Sequence, residues 1–141
     1  MKSKSYKAEM ENVTPAMNFI EDRLTRLHIS RKNILSTMLI AEESMSQLIE
    51  NAGEEAVLSV SIQERFLSAT VYISAEGRMI DSDLLGLSIQ DVEPSGFSEQ
   101  DLRAMMLRAY SNDFAYNCVD GHNHIMIRCG KTQRLSRTNP S

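Results

Sequence analysis

The dipeptide Asp120-Gly121, set between two β-prone runs in "FAYNCV-DG-HNHIMIRC", is the feature that most restricts this chain. Asp-Gly favours a two-residue type I′ turn, whose central residues take positive φ and whose twist matches that of the flanking strands. Such a turn fixes the register. It pairs Val119 with His122 and Cys118 with Asn123, so Cys129 falls six residues beyond the partner of Cys118. At about 3.3 Å per residue that is roughly 20 Å, against a Cα limit of ~7 Å for a disulfide. The two cysteines are therefore expected as free thiols, and the rest of the chain must supply an apolar layer to cover one face of this hairpin.

Two amphipathic segments can supply it. "NVTPAMNFIEDRLTRLHIS" predicts a helix with Thr14 as N-cap and Pro15 at the first helical position, and Met17, Ile20, Leu24 and Leu27 form one stripe. A second helix is expected from Ser30 to about Ala52, with Gly53 as a left-handed C-cap and a stripe of Ile34, Met38, Ala41, Met45, Leu48 and Ala52. Before them, "SYKAEM" alternates weakly, as an edge strand does. After them, "AVLSVSIQE" and "FLSATVYIS" read as strands joined by a turn at Gln63–Arg65, with Leu58, Val60 and Ile62 opposite Val57, Ser59 and Ser61. "EGRMIDSDLLGLSIQDVEPSG" has no period, and long stretches of that kind tend to be functional or disordered. A third helix is expected at "FSEQDL", where Ser98 and Asp101 form a capping box and Phe97 staples on Leu102; Leu102, Met105, Met106 and Ala109 follow as its buried face. The order β-α-α-β-β-loop-α-β-β implies an α+β two-layer sandwich, with helices on one face of a mixed β-sheet. Residues 1–130 form one domain in this reading, and "KTQRLSRTNPS", residues 131–141, is a disordered tail.

Composition limits the functions open to such a domain. The chain has 141 residues, 42% hydrophobic and 24% charged, enough for one folded domain. A net charge of −4 gives no general attraction to nucleic acid or to an anionic membrane. No apolar run approaches the ~18 residues of a membrane span, and the basic start "MKSKSYKAEMEN" lacks the apolar segment of a signal peptide. A cytoplasmic protein is expected.

Few residues have spacings that suggest chemistry. Glu43 and Gln47 stand four apart on the second helix, offset by about 40°; a carboxylate and an amide oxygen so placed can hold a water and a metal ion side by side. Spacing alone favours a solvated polar face, since Glu43 lies nearly opposite the apolar stripe. It follows that Glu43→Ala should leave stability almost unchanged. His122 and His124 share one strand face near Asp120, but a structural zinc site needs four ligands. Asp81 and Asp83 begin like a calcium loop yet lack its glycine and closing Glu. The sequence contains neither a GxSxG elbow nor a GxxxxGK[ST] phosphate loop.

Taken in order, these segments resemble the GHKL superfamily, the ATPase fold shared by histidine kinases and gyrase, and within it the short anti-sigma-factor kinase branch. The resemblance spans about residues 4 to 130 and implies the Bergerat, or histidine-kinase-like ATPase, fold. The family's Glu-x-x-x-Asn helix is matched by "EESMSQLIENA", with Glu43 in the place that orients water or accepts a proton. Gln47 stands where the magnesium-holding Asn belongs. The family's Asp-x-Gly is matched by "ISAEG", in which Ala75 replaces the Asp that reads the adenine amino group and Gly77 remains. An unpaired amino group there would cost on the order of 1–3 kcal/mol. Of the glycine-rich lid that cradles phosphates only Gly86 is left. "RAYSNDFAYNCVDGHNHIMIRCGK" resembles the closing helix and hairpin, with Asp113, Tyr116, Gly121 and Asn123 in mainly architectural places.

The resemblance implies a regulatory module that binds a protein partner, with ATP and Mg²⁺ binding weakened or lost and a homodimer allowed. The alternative is an active anti-sigma-type serine/threonine kinase. A metal-binding domain built on His122 and His124 is a third reading, supported by those histidines alone.

Overall fold

The computed structural model describes residues 1–80 and 114–131. The expected third helix, Asp81, Asp83, Gly86, Asp113 and residues 132–141 lie outside them.

The described chain runs β1 (Lys2–Lys7), a 3₁₀ turn (Met10–Asn12), α1 (Val13–Arg26), α2 (Arg31–Glu50), β2 (Val57–Glu64), β3 (Ser68–Glu76), β4 (Phe114–Val119) and β5 (His122–Gly130). The strands form a five-stranded sheet in the order β1-β2-β3-β5-β4. Every neighbouring pair is antiparallel, where the sequence reading had a mixed sheet. Both helices pack on one face, against β2, β3 and β5. The fold is thus an α+β two-layer sandwich.

The period-2 patterns settle which face is covered. Leu58, Val60 and Ile62 are buried with Val71, Ile73, Ile125 and Ile127, beneath Ile20, Leu24, Met45 and Leu48. Ser59 and Ser61 look the other way, and Ser61 shares a hydrogen bond with Ser3 on the edge strand β1. Three lysines, Lys2, Lys4 and Lys7, lie along that edge, where charge discourages pairing with a further strand.

Helix ends follow tertiary contacts more than local signals. The first helix begins at Val13 with Asn12 as cap, not Thr14, because the 3₁₀ turn leads into it and the Asn12 amide is spent on the Lys7 carbonyl. It ends in a Schellman motif: His28 takes φ 62°, while the Ile29 and His28 N–H groups return to Leu24 and Thr25. Ser30 caps α2 as expected, accepting from the Asn33 N–H. At its other end the helix stops at Glu50 with Asn51 as cap, and Gly53 has no positive φ. Instead the Gly53 N–H bonds to the Glu76 carbonyl, tying this end to β3. The β2–β3 turn is Arg65–Leu67, two residues later than the expected Gln63–Arg65.

The closing hairpin has the register its turn demands. Asp120 and Gly121 take φ 52° and 75°, Val119 pairs with His122 and Cys118 with Asn123. Both cysteines are free thiols. Lys131 is not loose: its N–H bonds to the Leu67 carbonyl and its carbonyl accepts from Ser30.

Candidate functional site

The two segments matched to nucleotide motifs meet where the end of α2 crosses the end of β3. Gly77 forms a β-bridge with Ala52, and the Arg78 N–H bonds to the Asn51 carbonyl at 2.8 Å. On its far side the Gly77 N–H reaches the Gly121 carbonyl at 2.9 Å, so helix, strand and hairpin turn converge on one residue. Asn51, Ala52, Gly53, Glu76, Gly77, Arg78 and Gly121 line a crevice of about 420 Å³ there.

Ala75 stands two residues before that junction, on the covered face, and is 2% exposed. Its cross-strand partner is Asn123, which is completely buried. Directly opposite residues bring their side chains to about 4.5–5.5 Å, so the Asn123 amide stands beside Ala75. Both ends of its amide are engaged. Nδ2 donates to the Arg78 carbonyl at 2.7 Å, and Oδ1 accepts from the Tyr116 hydroxyl at 2.6 Å. The same hydroxyl accepts from the Ile80 N–H at 2.8 Å. Burial raises the Tyr116 pKa above its ordinary value, while the Ile80 N–H pulls it down; the phenol stays protonated and able to donate.

One turn of α2 away, Gln47 is 5% exposed, and Glu43 is half-buried. The expectation of a solvated face for this pair is corrected. Because α2 packs against α1 as well as β3 and β5, its covered face is wider than one stripe and takes in Thr37, Ser44 and Gln47. The Gln47 Nε2 donates to Glu43 Oε1 at a long 3.4 Å, while Gln47 Oε1 has no donor among the described residues. An orphaned buried acceptor costs on the order of 1–3 kcal/mol.

A magnesium nucleotide can be tested against these groups. An amide oxygen without a donor beside a carboxylate is the kind of oxygen set a hard cation takes, with waters or phosphates completing its shell. Gln47 and Glu43 fit the metal. Ala75 offers no acceptor, and the amide nearest to it is already committed; this half does not fit adenine. Gly86 lies outside the described residues.

The remaining candidates are not brought into this site. His122 and His124 stack on the open face at 6.4 Å between ring centroids. Among the described residues no cluster of three or more His, Cys, Asp or Glu could hold a metal ion, and no helix is long and apolar enough to cross a membrane. What sequence reasoning missed is the bracing by Tyr116 and Asn123. The resemblance gave both residues architectural places but not the bond between them, and a second signal was an Asn at an inward position of β5, where period 2 calls for an apolar residue.

No family model and no curated protein matches the sequence. Solved structures do. The catalytic domain of histidine kinase ThkA is similar in two nucleotide-free crystal forms. Each is 12% identical over 94% of this chain; one is covered over 99% of its own length with a TM-score of 0.55, the other over 100% with 0.57. The fold is that of a histidine-kinase catalytic domain. Acinetobacter baumannii histidine kinase AdeS, at 12% identity, 94% and 69% coverage and a TM-score of 0.47, is too distant to add to that.

Proposed function

We propose that this chain is a regulatory module of the GHKL superfamily, close to the anti-sigma-factor kinase branch. In this reading it acts in the cytoplasm through a protein partner, with its nucleotide site weakened. The observation that carries it is Ala75. A base-reading position needs a free hydrogen-bond acceptor; here it is a buried methyl group whose polar neighbour, Asn123, is spent on Arg78 and Tyr116. The fold of histidine-kinase catalytic domains supports a signalling role, and Gly77 in its tight junction supports descent from a nucleotide-binding frame.

The orphaned Oε1 of Gln47 favours a second reading, an active ATP-dependent serine/threonine kinase acting on a small antagonist protein. There Gln47 would hold the magnesium and Glu43 would orient the attacking group or accept its proton. ATP would supply the phosphoryl group.

Thermal melts with and without ATP and magnesium separate the two. A ligand at 100 times its Kd stabilises by about 2.7 kcal/mol, several degrees for a domain of this size. The regulatory reading expects a shift below about 2 °C at millimolar ATP; several degrees would carry the kinase reading instead. Ala75→Asp restores an acceptor and should raise ATP affinity about tenfold or more, since one hydrogen bond to a polar group is worth ~1–3 kcal/mol. Calorimetry that finds affinity unchanged would remove position 75 from the base-reading role.

A further inference from the structure

Charge in the described residues is split between the two ends of the sandwich. At one end the β2–β3 turn meets the end of β5 and the start of α2, through the Lys131 N–H on the Leu67 carbonyl and the Ser30 N–H on the Lys131 carbonyl. Arg23, Arg26, Arg31, Lys32, Arg65 and Lys131 gather there against Glu21, Asp22 and Glu64. Each of these acids is already engaged, Asp22 by Arg26 at 2.9 Å, Glu21 by Arg31 at 2.8 Å and Glu64 by Lys131 at 2.7 Å. Lys32 and Arg65 are left in surplus, since Arg23 is half-buried and acts on Glu64; among the described residues Arg65 donates to the neutral Gln63. The opposite end carries Glu50, Glu54, Glu55, Glu76 and Asp120 against Lys7 and Arg78.

The tip of the basic end is apolar. Phe66 is 89% exposed and Leu67 68%, side by side on a turn held by the Arg65 N–H on the Ser68 carbonyl. A stable protein interface takes about 800 Å² from each partner, and two projecting side chains fall well short of it, since even an aromatic one buries only about 150–250 Å². They also form a convex point, which a rigid partner must match with a ready-made cleft. A bilayer accepts such a point without one, and the boundary of headgroups and acyl chains is where Phe and Leu partition beneath basic residues.

We propose that the β2–β3 tip docks this domain on an anionic phospholipid surface, with Phe66 and Leu67 entering the headgroup boundary and Lys32 and Arg65 facing the lipid phosphates. The net charge of −4 does not oppose this. The nine residues of β3 separate the two ends by roughly 30 Å, several times the ~8 Å screening length at physiological salt, so the acidic end is hidden from the surface and turns away from it. The proposal is independent of the nucleotide reading.

Co-sedimentation of the full chain with vesicles tests it. The protein should pellet with vesicles of mixed phosphatidylcholine and phosphatidylglycerol, less so as salt is added, and remain in solution with phosphatidylcholine alone. Phe66→Ser with Leu67→Ser should lower the apparent affinity about tenfold or more, with an unchanged circular dichroism spectrum because both side chains lie outside the core. Lys32→Glu with Arg65→Glu should do the same by the electrostatic route. The proposal is overturned if the wild type stays in solution with the mixed vesicles, as it would were the tip reserved for an acidic cleft of another protein. Binding that ignores lipid charge, or a Ser variant that pellets like the wild type, overturns it as well.

Discussion

Gly77 lies so close to Asn51 that a Cβ added to it would fall 2.2 Å from the Asn51 carbonyl oxygen and 2.9 Å from the Ala52 Cα. These are backbone atoms at the end of α2, held by the Arg78 N–H, and they cannot swing aside. Gly77→Ala must therefore pry helix from strand. A loss of about 2–4 kcal/mol is expected in urea unfolding, at the upper end of single-site effects. A loss below about 0.5 kcal/mol would mean that the junction is not tight.

Tyr116→Phe removes one hydroxyl that serves two partners, leaving Asn123 Oδ1 and the Ile80 N–H unpaired. About 1–3 kcal/mol should be lost. A double-mutant cycle with Asn123→Ala should show coupling of at least ~0.5 kcal/mol, since contacting residues in one network do not act additively. Strict additivity would count against the network.

Gln47→Leu replaces a buried amide whose oxygen has no donor by an apolar group of similar size. Removing an unsatisfied group can be neutral or stabilising, so the unfolding free energy should stay level or rise by up to about 1 kcal/mol, while any response of the melt to magnesium disappears. A loss of several kcal/mol would show that the oxygen is satisfied after all. Glu43→Ala strands the amide nitrogen as well, so it should cost about 1 kcal/mol, more than the solvated position expected from sequence would allow.

Acid should weaken one ion pair in a defined direction. A hydrogen bond from Lys131, then its charge, holds the Glu64 carboxyl below the usual carboxylate range, with Arg23 and His28 adding to the effect. The folded value lies below the unfolded one, so the pair stabilises fully above the ordinary carboxylate pKa of about 4.3 and loses that contribution as pH falls through the lower value. Melting temperatures of wild type and Lys131→Ala should differ by a constant small amount near neutrality and converge in acid. Curves that stay parallel down to the most acid point would contradict this.

The register of the last hairpin was legible because Asp120-Gly121 admits a single turn geometry, and the inward faces of β2 and β3 because alternation carries them residue by residue. Thr14 and Gly53 misled for one reason. A cap is a local preference, and at both places a hydrogen bond from outside the helix to a strand, at Lys7 and Glu76, set the boundary instead. The burial of Gln47 could not be read from a single stripe, since it depends on α2 having neighbours on more than one side. Motif order singled out Ala75 and Gly77, and the structure places Gly77 against Asn51 and Ala52 at the end of α2. The commitment of Asn123 was not, because its partners at positions 78 and 116 meet only in the folded chain.

The brace from Tyr116 to Ile80 has a consequence for how the molecule can change. Ile80 is the last described residue before the span 81–113, and Tyr116 lies two positions after Phe114, where the chain re-enters the sheet. Entry and exit are thus buckled to the same hairpin, whatever is strung between them. Any shift of β4 against β5 must therefore be felt at positions 80 and 114 together, so the hairpin moves both anchor points as one body.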